Sequence, residues 1–221
     1  MRRFIDLSHT IHHGLATYKG LPGPLICDYL SREASRQNYT DGTEFQIGRI
    51  EMVSNTGTYI DCPFHRFANG RDLSETDLER FVDLDGVVVR VPWRERLDIT
   101  PRDFVRVDVR DKAVLVDTGW SEHWNKNTYF DNHPFLTVEA ATFLRNAGAL
   151  LVGIDSHNID DTRTKNSRPV HTILLGAEIL IVEHLRGLEQ LPLEGFRFSA
   201  VPPKFKGMGT FPVRAFASID K

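Results

Sequence analysis

Asp61, His171 and Glu183 are residues of this 221-residue chain whose types suit hydrolytic chemistry, although His171 and Glu183 alone are unremarkable and only a longer pattern in the chain groups the three. A hydrolytic divalent-metal site needs carboxylate and imidazole ligands and one position open to water, and catalytic zinc commonly has three protein ligands. One imidazole and two carboxylates meet that count. The two carboxylates also cancel the ion's formal charge, so they acidify a bound water less than three neutral imidazoles would. The oxygen-rich set leans toward manganese relative to an all-histidine site, and the expectation is one divalent ion, zinc or manganese. Glu183 ends the apolar run 179–182, where an ionised carboxylate is costly unless it is paired or bound to metal.

The segment Asn55, Thr56, Gly57, Thr58, Tyr59, Ile60, Asp61, Cys62, Pro63, Phe64, His65 carries a longer pattern. It resembles the signature of the cyclase family, which includes bacterial kynurenine formamidase and isatin hydrolase: His, any residue, Gly, Thr, His, any, Asp, any, Pro, any, His. Gly57, Thr58, Asp61, Pro63 and His65 match in order, while Asn55 and Tyr59 stand at the first two histidine positions. The likeness continues at Asp6 to His9, at Thr118 to Trp120, at Gly153 to Asp155, at His171 and Glu183, and at Pro212 to Arg214.

The resemblance implies an α+β fold, a swivelling β/β/α domain with a mixed sheet core, assembled as a homodimer or homotetramer. It implies that Asp61 and Glu183 reach both metals of a pair, that His171 holds the second, and that Asn55 and Tyr59 replace the ligands of the first. It makes His65 the general acid and base, and it puts Tyr18 at an aromatic substrate contact. The implied activity is hydrolysis of a small amide, lactam or lactone by water activated on the metal, with N-formylkynurenine the first substrate to try.

Each of these residues has a plainer reading. Asn55 offers a weak amide oxygen, and Tyr59 must lose a proton of pKa ~10 to ligate well. Tyr59 is therefore expected to fill the first metal's space, its hydroxyl bonded to Asp61 or a water. His65 could be a hydrogen-bonded loop residue after Pro63, although its spacing from Asp61 inside the motif favours the site. His12 and His13, adjacent in sequence, are expected at the surface. His9 is expected to support the opening strand, and His123, His133, His157 and His184 show no partner. Asp155 and Asp160 read as acceptors for loop amides, Cys62 as a packed thiol, and Trp93 and Trp120 as core residues or part of an aromatic pocket. Two rival functions stay open: an altered or inactive relative that binds a small molecule or partner, and a metal-free lyase or cyclase using Tyr59 and His65.

The elements that must position these groups are mostly strands. Apolar, β-branched runs at 86–91, 112–117, 150–155 and 178–183 predict strands. Thr137 predicts a helix N-cap, with Glu139 in the first turn, Val138, Ala141 and Leu144 at helical spacing, and Gly148 past the end. Ser74 is expected to cap a second helix that turns Leu78 and Phe81 inward, and Thr100 with Pro101 and Asp103 to start a third. Strands and helices do not alternate strictly, which favours a mixed sheet over a doubly wound parallel one.

Composition sets the outer limits. At 41% hydrophobic and 26% charged, residues 1–221 can form a single domain with its own core. A net charge of −3 with scattered cations argues against a nucleic-acid partner and leaves a small molecule. Two cysteines, Cys27 and Cys62, fit a reducing compartment, and the absence of a long apolar run near Met1 gives the expectation of a cytoplasmic protein without a membrane span.

Overall fold

The apolar runs become the centre of a nine-stranded mixed sheet. The computed structural model describes residues 1–164 and 167–220. Strands β1 (Arg2–Asp6), β4 (Tyr59–Asp61), β5 (Leu84–Arg90), β7 (Ala113–Asp117), β9 (Leu151–Ile154), β10 (Leu180–Glu183), β11 (Phe196–Ser199), β12 (Thr210–Pro212) and β13 (Phe216–Asp220) pair in the order β1-β13-β11-β5-β7-β9-β10-β4-β12. The central four, β5, β7, β9 and β10, run parallel, and the flanking pairs are antiparallel. Strands β7, β9 and β10 are buried along their whole length, as expected for parallel strands covered on both faces.

Parallel neighbours require crossovers, and two of the three run through helices: α2 (Val138–Ala147) between β7 and β9, and α3 (Pro169–Gly176) between β9 and β10. Alternate residues of the central strands therefore enter different cores. Val114, Val116, Val152, Ile154 and Ile181 pack with Ala140, Leu144, Val170 and Leu174 on the helix side. Leu115, Leu151, Leu180 and Val182 pack with β1, β11 and β13 on the other. This is the α+β, β/β/α arrangement expected from the sequence. Smaller pairs are the hairpin β2 (Leu25–Leu30) with β3 (Ile47–Glu51), joined through the one-turn helix α1 (Arg32–Ser35), and β6 (Asp98–Ile99) with β8 (Phe135–Leu136).

The α2 expectation agrees in detail: the Thr137 side chain accepts from the Ala140 amide, and Gly148 closes the helix with φ 83°, a left-handed conformation that glycine adopts without a Cβ penalty. Two other starts yield only single turns. Ser74 is not a cap; Asp72 accepts from the Ser74 and Glu75 amides, the turn that follows spans only Leu78–Arg80, and Leu78 points to solvent while Phe81 is buried. Thr100 and Asp103 form a capping box, but the turn ends at Asp103. Helix α3 was not anticipated. Its N-cap is Arg168, which makes no side-chain cap, and the acceptor for its first amides comes from Asp160, ten residues before Val170.

Candidate metal centre and cavity

Strand β4 organises the site through its register. Ile60 faces the sheet's other core, so Tyr59 and Asp61 project to the helix side. Directly opposite Tyr59 on β10 lies Glu183, and directly opposite Asp61 on β12 lies Thr210. Both cross-strand pairs are hydrogen-bonded: the Tyr59 hydroxyl donates to Glu183 Oε2, and the Thr210 hydroxyl donates to Asp61 Oδ1. Helix α3 lies over this face and lowers His171 onto it.

Among the described residues the mutually close ligand atoms belong to Asp61, His65 and His171, and Glu183 stands beside His171. His171 Nε2 lies 3.7 Å from Asp61 Oδ2 and 3.7 Å from Glu183 Oε1. His65 closes the fourth side, its Nδ1 3.8 Å from Asp61 Oδ1, and Asp61, His65 and His171 each offer an atom within 4.8 Å of the others. Asp61 and Glu183 are fully buried, and Asp61 Oδ2 has no hydrogen-bond partner among the described residues. Such an atom is costly unless something positive meets it.

The residues fit a divalent cation. Ligands about 2.1 Å from a tetrahedral ion stand about 3.4 Å apart, close to the 3.7 Å between His171 Nε2 and each carboxylate. The field is right as well. Burial works against a charged His171, yet Asp160, Asp61 and Glu183 push its pKa up to about 10, so this cage favours positive charge. For Glu183, burial and the neighbouring Asp61 raise the carboxyl, while His171, the Tyr59 hydroxyl and the Ile159 amide oppose them.

Asp160 orients the imidazole. Its Oδ2 lies 2.6 Å from His171 Nδ1, and its two oxygens accept from the Val170 and His171 amides at 2.8 and 3.1 Å. With Asp160 an acceptor, Nδ1 carries a proton and Nε2 is the nitrogen turned to the cluster, the orientation common among metal-bound histidines. Thr210 does the same for His65: its one proton goes to Asp61, so its oxygen, 2.6 Å from His65 Nδ1, accepts from that nitrogen and leaves Nε2 as the free base. Gly209 permits this, because a Cβ there would strike the His65 backbone.

The opposite wall is built from tyrosines. Tyr59 is buried, and its hydroxyl binds Glu183 rather than Asp61, which corrects the sequence-based expectation. The Tyr18 hydroxyl lies 2.6 Å from that of Tyr59, 3.1 Å from the His157 carbonyl and 3.2 Å from Glu183 Oε2, and accepts from Asn158 Nδ2 at 3.1 Å. Burial and the facing Glu183 push both phenols well above the usual tyrosine range, so neither serves readily as a phenolate. Asn55 lines the cavity and its Oδ1 accepts from Ser54 Oγ at 3.2 Å.

Behind the tyrosines sits a cluster that sequence reasoning missed. His184 shares a hydrogen bond with the Tyr129 hydroxyl at 2.7 Å, His9 stacks on Trp124 at 4.0 Å, and His157 packs on Tyr18 at 4.6 Å. Burial holds all three neutral, with His9 and His157 lowered to about 3. Trp93 and Trp120 pack against each other at 5.3 Å and do not line the cavity. Cys62 is buried, and burial pushes its thiol up to about 11. His12 and His13 are exposed. Asp155 accepts from the Thr118 amide and hydroxyl, as expected, and burial raises its carboxyl to about 7. The cavity above the cluster measures about 250 Å³ and adds Leu21, Arg66, Asn158 and Arg168 to the residues named from the sequence.

Residues 5–161 match the model of the family described as "Putative cyclase". The chain belongs to the cyclase family. It is similar to the kynurenine formamidase of Geobacillus thermodenitrificans, 24% identical over 215 residues covering 97% of each chain, and to that of Bacillus cytotoxicus, 26% identical over 187 residues covering 83% of this chain and 84% of the relative. Among solved structures, isatin hydrolase A from Labrenzia aggregata, bound to benzyl benzoate, superposes with a TM-score of 0.84 at 23% identity, covering all of this chain and 94% of the other. A structure described as a predicted metal-dependent hydrolase from Bacillus stearothermophilus gives 0.78 at 26% identity, with both chains fully covered. In this cyclase, Asn55 and Tyr59 lie beside the ligand cluster, and Tyr59 reaches it only through Glu183.

Proposed function

We propose that this cyclase is a metal-dependent hydrolase of a small amide, lactam or lactone, arylformamidase-like in its chemistry. The observation that carries the reading is the close group of Asp61, His65 and His171 ligand atoms beside a cavity, with Glu183 Oε1 3.7 Å from His171 Nε2 and Asp61 Oδ2 buried and otherwise unpartnered among the described residues. Asp61, His171 and Glu183 would hold one zinc or manganese ion, and His65 stands where it can complete the set or work beside it. A bound cation supplies a Lewis acid for the scissile carbonyl and a lowered pKa for the attacking water.

The chain's own groups do the rest. His65 Nε2, left free by the Thr210 bond, takes up the proton of the attacking water and returns it to the leaving nitrogen. Asp160 fixes His171, and Tyr59 with Tyr18 fixes Glu183, so the ligands are held before substrate arrives. Tyr18 and Leu21 offer apolar surface to an aromatic substrate.

The metal-free rival gains no support from Tyr59, whose hydroxyl is buried, bound to Glu183 and poorly acidic. Residues 1–221 form, on this reading, a single-domain protomer of a homodimer or homotetramer; the exposed apolar residues Tyr29, Ile47 and Ile50 on the β2–β3 hairpin support assembly. Among the described residues no helix is long and apolar enough to cross a membrane, and a cytoplasmic setting remains part of the proposal. The test is turnover of N-formylkynurenine, and of simple lactams and lactones, by protein loaded with zinc or manganese. Hydrolysis of one class supports the reading, while binding without turnover of any would favour the altered, non-hydrolytic relative.

A further inference from the structure

Arg66 and Arg168 bring two positive charges to the wall of the cavity that His65, His171 and Glu183 line from its floor. They are tied together. The Thr172 hydroxyl donates to the Arg168 carbonyl at 2.9 Å and accepts from Arg66 Nε at 3.0 Å, so one side chain of α3 joins the loop after β4 to the helix's own first turn. Arg66 follows His65 directly, and Arg168 precedes His171 by three residues.

Neither guanidinium has a carboxylate partner among the described residues, whereas ten other arginines do. Arg66 lies 5.4 Å over the Phe67 ring with its terminal nitrogens unbonded among the described residues, and Arg168 spends one nitrogen on the Ser167 carbonyl at 2.7 Å. They are not counter-charges for the floor, whose carboxylates take their bonds from Thr210, Tyr59 and the Ile159 amide and face His171. Guanidiniums present forked donors suited to a carboxylate, and two of them lining one cavity raise the local potential for an anion. A cavity of about 250 Å³ has room for one substituted aromatic ring.

We propose that the substrate of this cavity is a small carboxylic acid, its carboxylate held by Arg66 and Arg168 and its hydrolysable carbonyl lying over the Asp61, His171 and Glu183 cluster. This deepens the hydrolytic reading and rests on it for the second half only; recognition of the anion needs no turnover.

Calorimetric titration with benzoate and with benzamide, one charged and one neutral, separates the two. Benzoate should bind at least about tenfold more tightly, and Arg66→Gln or Arg168→Gln should each remove about tenfold of that preference, with unfolding temperature and cation content unchanged. Arg66→Lys and Arg168→Lys, which keep the charge, should retain most of it and serve if a glutamine variant fails to fold. The preference should also persist in protein stripped with chelator. Equal binding of the two probes overturns the proposal, as does a preference untouched by both glutamine variants or abolished by stripping alone, which would put the carboxylate on the cation. A preference that behaves as expected in protein that hydrolyses no amide would remove the hydrolytic reading and leave anion recognition standing.

Discussion

The two walls of the cavity are made from one strand and differ in charge. From β4, Asp61 turns toward a wall of ionisable ligands, with His65, His171 and Glu183 around it and Asp160 and Thr210 behind. Two residues earlier, Tyr59 turns toward a wall that is polar but uncharged: Tyr18, Asn55 and Asn158, backed by histidines that burial keeps neutral. Glu183 belongs to both, giving Oε1 to the first and Oε2 to the second. The difference teaches that carboxylate and imidazole donors gather on one side of Glu183, while the other side offers phenols and amides.

The largest effect should come from breaking the charged wall. His171→Ala should abolish cation binding and lower hydrolysis by at least about 10³-fold, since a cation's transition-state stabilisation amounts to several kcal/mol; metal analysis and kinetics on the same sample check it. Next, His65→Ala should lower kcat by about 10²–10⁴-fold while the ion stays bound, the range for a lost acid and base. If the ion leaves with it, His65 is a ligand first. Asp160→Ala should weaken cation affinity by about 10–100-fold, as loss of a partner behind a metal-bound histidine does, read by competition with a chelator.

Changes on the tyrosine wall should be milder. Tyr59→Phe removes one donor to Glu183 and should alter cation affinity by less than about tenfold, because the Ile159 amide still holds Oε1 at 2.6 Å. The double variant Asn55→His with Tyr59→His sharpens the contrast differently: it should raise the bound cation from one per chain to two, measured by elemental analysis. The last effect concerns stability and pH, apart from catalysis. His9 and His157 have folded-state values lowered to about 3 and His184 lies well below its usual value, so the unfolded chain binds protons that the folded chain does not. Their contribution is fully present above about pH 6.5 and is lost as pH falls from there toward 3, by up to about 1.4 kcal/mol per pH unit for each histidine. Denaturant unfolding at pH 7, 6 and 5 should show the decline, and His184→Gln should flatten it.

The sequence made the charged wall legible and named Tyr18, Asn55 and Tyr59 of the other without their partners. Asp61 and His65 sit in one short segment, and Glu183 was exposed as unusual by the apolar run before it, so local pattern reached them. Helix α2 was legible because Thr137 and Gly148 mark both ends. Helix α3 was not, because its cap is a side chain from another segment, and for the same reason Asp160 read as an ordinary loop acceptor. Thr210 acquires its role only through the register of β12 on β4. Likewise, His9, His157 and His184 meet from distant parts of the chain, and Tyr59 pairs with Glu183 across 124 residues, which no spacing rule reports.

The central claim is that the charged wall holds one divalent cation and the tyrosine wall holds none. Titration of metal-free protein with zinc or manganese, followed by elemental analysis of the dialysed product, tests it directly. One ion per chain, lost in His171→Ala and retained in Tyr59→Phe, is the predicted result. No retained ion, or two ions per chain in the unmodified protein, would contradict it.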